Sequence, residues 1–232
     1  MIILGGTMRK KLYICGDSFC GHDPDYSHSW VNEFIDRHPN LEIHNLSSPA
    51  ASNYLIYLQV KEALANNCDY VIYHATSSIR HEFVLTADEA GQDSYNRYWN
   101  VLAPTVAPMV SISWPNPHHT ANQVINETTQ KEMQEFFFKH IDLQSLIEKN
   151  YIFIQYTLSL LAASNTRWVW SQGGFEHPAF GNVRTWDFDR TNESTINLWD
   201  YYKPKVVRPY HHIDDTDIIK KVCDHYESML NL

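Results

Sequence analysis

Short apolar runs alternate with amphipathic stretches along this chain. Residues 12–15 (Leu-Tyr-Ile-Cys), 41–46 (Leu-Glu-Ile-His-Asn-Leu), 69–76 and 167–170 are brief and rich in aliphatic and aromatic side chains, which predicts strands. Residues 29–35 are amphipathic at helical spacing. In 52–67 the apolar positions Leu55, Ile56, Leu58, Val60, Ala63 and Leu64 also suit a helix. Ser52 or Asn53 would cap its start, and Asn66 and Asn67 would end it. A last helix is predicted over 215–230, with Ile218, Ile219, Val222 and Tyr226 on one face. Strands alternating with helices imply crossover connections and a parallel sheet, so the expected class is α/β.

The middle of the chain breaks this rhythm. Residues 86–126 carry Pro104, Pro108, Trp114, Pro115 and Pro117 among many polar residues, which predicts an irregular insertion serving as a lid, an arm or a partner surface. Its aromatics (Tyr95, Tyr98, Trp99, Trp114) suit stacking on a sugar, base or acyl chain, and equally suit covering a core or a dimer contact. Residues 127–163 then read as helical, with a buried apolar part over 152–161.

Composition narrows the function classes. A length of 232 residues fits one domain, taken as 8–232, with 1–7 as an N-terminal extension. The formal net charge of −9 argues against a nucleic-acid surface. No run approaches the roughly eighteen apolar residues of a membrane span. The basic Arg9-Lys10-Lys11 follows the first apolar residues instead of preceding them, unlike a signal peptide, so a cytoplasmic location is expected. The cysteines Cys15, Cys20, Cys68 and Cys223 form no CxxC pair and read as reduced structural thiols.

Candidate chemistry starts at Gly16-Asp17-Ser18, directly after the first strand. In an open α/β sheet, ligands bind at the carboxyl ends of strands. A serine there becomes a nucleophile when a base takes its proton. His211 and His212, ahead of the last helix, can return beside the first strand, and either is a candidate base. Asp214 and Asp215 join them as metal-ligand types, but adjacent histidines in an extended segment point to opposite faces, and no metal is expected. Arg80 and Glu82 read as a strand-end ion pair, with anion binding by Arg80 as the alternative.

The order of these pieces resembles the SGNH/GDSL hydrolase superfamily, in a divergent branch common among bacteriophage proteins. The first block is Gly16-Asp17-Ser18-Phe19. The second is similar at Asn45 to Asn53, with Ala51 in the place of the usual Gly. The third, after strand three, is Ala75-Thr76-Ser77-Ser78 followed by Arg80 and Glu82, with Ser77 where the family has Asn. The last is Pro209-Tyr210-His211-His212, with Pro209 where the family has Asp.

The resemblance implies a flavodoxin-like three-layer α/β/α sandwich with a central parallel sheet. It implies a serine esterase acting on an acyl or O-acetyl ester without a cofactor. Ser18 would be the nucleophile and His212 the base, since the family's histidine is followed by an apolar residue as His212 is by Ile213, with His211 the alternative. The oxyanion would be held by the N–H groups of Ser18 and Ala51, with Asn53 or Ser77 helping, and Asp17 would shape the turn. The substrate would be a small-molecule or glycan ester, with a homo-oligomer left open. The departures at Ala51, Ser77 and Pro209 carry the alternative expectation, a catalytically impaired binding protein on the same fold for a small ligand or protein partner.

Overall fold

The computed structural model describes residues 9–21, 29–48, 51–84, 109–113, 127–172, 188, 190–201, 213 and 215–232. The strands described are β1 (Lys11–Cys15), β2 (Glu42–Asn45), β3 (Tyr70–His74), β4 (Arg80–Val84), β5 (Met109–Ser113) and β6 (Arg167–Ser171). The α-helices are α1 (Trp30–Arg37), α2 (Asn53–Ala65), α3 (Glu127–His140), α4 (Leu143–Ala163) and α5 (Thr216–Leu230). Strands β2-β1-β3-β6, in that order, form one parallel sheet. These are the four apolar runs read as strands.

Strand alternation builds two cores. Leu12, Ile14, Tyr70, Ile72 and Val169 face one side, against Trp30, Val31 and Phe34 of α1 and Ile219, Val222 and Tyr226 of α5. Tyr13, Cys15, Val71, Tyr73, Trp168 and Trp170 face the other, against Leu55, Ile56 and Val60 of α2 and Ile154 and Leu158 of α4. Burial on both faces explains why β1 and β3 are almost wholly apolar. The α/β class with helices on both faces of a parallel sheet is therefore observed.

The strand order sets where a ligand can enter. The chain moves from β1 outward to β2, then crosses back over β1 to β3. Reversing direction at constant handedness puts α1 and α2 on opposite faces. The connections after β1 and β3 therefore diverge, and this is the point at which open α/β sheets form their ligand crevice.

Caps follow from short polar side chains. Ser29, Ser52, Asp142 and Asp215 each accept a first-turn backbone N–H of α1, α2, α4 and α5. Asp142 corrects the single helical region expected over 127–163. It leaves helical geometry (φ −75°, ψ 123°) and accepts from Ser145 N at 2.8 Å, so α3 and α4 are separate helices.

A second correction concerns the segment 86–126, expected to be irregular. Its residues 109–113 form β5, which pairs antiparallel with β4, Arg80 opposite Ser113 and Val84 opposite Met109. The run Met-Val-Ser-Ile-Ser has the β-branched residues of a strand and contains no Pro. The surrounding prolines masked that signal. The rest of 86–126 and residues 1–7 lie outside the described residues. No helix among the described residues is long and apolar enough to cross a membrane.

Candidate active site

The turn after β1 is tightly built. A Cβ added to Gly16 would lie 2.8 Å from Cys20 Sγ and 3.1 Å from His74 Cβ, so a side chain has no room there. Asp17 caps the one-turn 3-10 helix Ser18–Cys20, its Oδ1 accepting from Phe19 N at 3.0 Å. Cys20 N donates to Asp17 O and Gly21 N to Ser18 O. Ser18 is thus the first residue of a short helical turn at the carboxyl end of β1, with 9% of its surface exposed.

Across the crevice, the connection after β3 is tied to the same carboxylate. Asp17 Oδ2 accepts from Thr76 Oγ1 at 2.7 Å and from Arg80 Nη1 at 3.1 Å. Arg80 Nη1 also donates to Ala51 O at 2.7 Å, so the turn before α2 joins the network. Burial pulls the Arg80 guanidinium below its ordinary pKa, and Asp17 opposes that pull. The expected Arg80–Glu82 pairing gives way to two others. Arg80 pairs with Asp17, and Glu82 pairs with Lys149 of α4. Both carboxylates are almost fully buried and each meets the cation that packing brings to it.

Ala51, Asn53 and Ser77 sit beside this network, all buried. The Ala51 N–H donates to Ser48 O at 3.1 Å. Asn53 Nδ2 donates to Thr76 O at 3.0 Å and to Asn150 Oδ1 at 3.1 Å, while Asn53 Oδ1 accepts from Thr76 N at 2.8 Å. The Asn53 amide protons are therefore spent on the fold. Ser77 Oγ accepts from Ile79 N at 3.4 Å.

Two groups escaped sequence reasoning. Gln59 Oε1 accepts from Gly16 N at 2.7 Å, and Gln59 Nε2 donates to Gly16 O at 3.2 Å. Asn150 Nδ2 lies 3.0 Å from both Ser78 O and Arg80 O. The available signal was a polar amide on the inward face of an otherwise apolar helix, where burial demands satisfied partners.

Behind the turn, His74 closes a buried chain. Its Nδ1 lies 2.5 Å from Ser171 Oγ and its Nε2 2.8 Å from Tyr226 Oη. Burial lowers its pKa to about 4, against the opposing pull of Asp17, so the ring is neutral at pH 7.

The structure thus brings Asp17, Ser18, Ala51, Asn53, Ser77 and Arg80 together at the carboxyl ends of β1 and β3. His211, His212, Pro209 and Asp214 lie outside the described residues, and Asp215 serves as the α5 cap. No cluster of three or more metal-ligating side chains occurs among the described residues. No protein-family model matches the chain, and no curated protein matches it.

Proposed function

We propose that the chain is a serine hydrolase of the SGNH type, in its divergent phage-like branch, cleaving an acyl or O-acetyl ester of a small molecule or glycan. The observation that carries this reading is the position of Ser18. It starts a short helical turn at the reversal point of the sheet, next to a buried Asp17–Thr76–Arg80 network joining the first and third blocks.

In this reaction Ser18 Oγ attacks the ester carbonyl carbon while His212 takes the hydroxyl proton. The oxyanion falls to the Ser18 N–H and the Ser77 hydroxyl. His212 returns the proton to the departing alkoxide, and water then cleaves the acyl-Ser18 ester by the reverse sequence. Arg80 is neutralised by Asp17 and acts through that carboxylate on the turn. The resemblance gives the Ala51 N–H the same task, and in this structure that group donates to Ser48 O.

A second reading, a binding module using the same crevice, draws on a specific observation: the Ala51 N–H and the Asn53 amide are already engaged within the fold. A fluorophosphonate probe separates the two. The hydrolase predicts covalent labelling of the wild type, lost in Ser18→Ala and in His212→Ala with circular dichroism unchanged. Absence of labelling in folded wild type refutes the hydrolase and leaves the binding module.

A further inference from the structure

We infer that α2 is the positioning element of this site. Two amide side chains on it, Gln59 and Asn53, each clasp both backbone polar groups of one crevice residue, Gly16 and Thr76 respectively. The inference rests on the reading of Ser18 as the reacting group.

The two clasps have the same form. Gly16 donates its N–H to Gln59 Oε1 at 2.7 Å and accepts from Gln59 Nε2 at 3.2 Å. Thr76 donates its N–H to Asn53 Oδ1 at 2.8 Å and accepts from Asn53 Nδ2 at 3.0 Å. Gly16 O also takes the Ser48 N–H at 3.2 Å, which draws the second-block turn to the same point. Asn150 fixes the Asn53 amide by accepting from its Nδ2. Gln59, Asn53 and Asn150 are fully buried.

A buried amide is retained at a core-facing helix position only with its donors and acceptors satisfied, and an aliphatic side chain would fill the space without that demand. Both clasps end on the two connections that flank the sheet's reversal point, and both start from one rigid helix. Together with the Asp17–Thr76 bond they close a loop that fixes the spacing between the Ser18 turn and the Ser77 turn. Asn53 is thereby a positioning residue whose amide holds the Thr76 backbone.

Gln59→Met fills the volume and removes both bonds to Gly16. Gln59→Glu is the companion variant, because a neutral carboxylic acid offers one donor and one acceptor as an amide does. Two measurements are made on protein shown folded by its melting curve. One is fluorophosphonate labelling, resolved into a maximal rate constant and a half-saturating concentration. The other is amide hydrogen exchange by NMR.

Gln59→Met is expected to lower the maximal rate constant by about ten- to a hundredfold, as a small misplacement of a reacting group does, with half-saturation nearly unchanged. Gly16 N–H exchange accelerates, while Ile43 on β2 keeps its wild-type rate. Burial raises the pKa of the carboxyl that Gln59→Glu introduces, so the rate of this variant relative to wild type rises as pH falls.

A wild-type maximal rate constant in folded Gln59→Met, or a pH-independent ratio for Gln59→Glu, overturns the inference. If the wild type does not label, the hydrolase reading fails, and exchange alone decides the clasps. Acceleration confined to Gly16 and its turn then supports them, and a uniform rise through the sheet overturns them.

Discussion

Replacing Asp17 by Asn tests the network under the crevice. The substitution keeps the side chain's size and an acceptor for Phe19 N, but removes the charge facing Arg80. Asp17 and Arg80 are 2% and 6% exposed, so water does not replace the lost partner. Breaking a buried pair by removing one member costs about 3–5 kcal/mol, because the other charge stays buried. For a chain of this size that corresponds to a fall in Tm of roughly 6–20 °C. Arg80→Met should cost a comparable amount by leaving Asp17 unpaired. The double variant should lose less than the two singles summed, by up to about 3 kcal/mol. Urea unfolding followed by tryptophan fluorescence reads all four corners of the cycle, with Trp30 and Trp170 buried in opposite cores. Single variants costing under about 1 kcal/mol, the range of an exposed ion pair, would refute the reasoning. So would additivity within about 0.5 kcal/mol, the behaviour of sites that do not interact.

Gly16→Ala should destabilise by about 1–3 kcal/mol through overpacking. The nearest atom to the new methyl is Cys20 Sγ, so the same substitution should cost less in a Cys20→Ala background; an equal cost there contradicts the contact. His74 links stability to acid. Its folded pKa of about 4 lies below the unfolded value of 6.5, so the unfolded chain binds the extra proton between those values. Its contribution is complete above pH 6.5 and is lost as pH falls towards 4, amounting to about 3 kcal/mol. Urea midpoints measured from pH 7 to pH 4 should fall in wild type and fall less steeply in His74→Gln. Equal slopes would show that His74 does not carry the effect.

The predicted strands and most helix ends were legible because each rests on a local rule. A strand buried on both faces must be apolar throughout, and a helix start needs a short polar cap, as at Ser29 and Ser52. The break at Asp142 was harder to see. Its cap sits between two stretches that are both good helix formers, and the carboxylate bonds the first N–H groups just beyond the gap. Strand β5 was hidden for a different reason, since pairing with β4 supplies the order that its own short run does not announce.

The candidate site divides along the same line. Gly16-Asp17-Ser18 could be placed at a strand's carboxyl end from sequence, because strand, turn and serine are consecutive residues. Which cation Asp17 meets, and whether Asn53 offers its amide outward or spends it on Thr76, were decided only by the tertiary structure. Those bonds join residues 59, 63 and 23 positions apart. Periodicity reports how deeply a side chain is buried, a property each element carries alone. A partner's identity depends on which atoms the crossovers bring within about 3 Å, and a hydrogen bond weakens steeply outside that range. The chain's local pattern therefore determined its layers and the end of the sheet where the serine stands. The packing of α2 and α4 against that end decided how the turn is held.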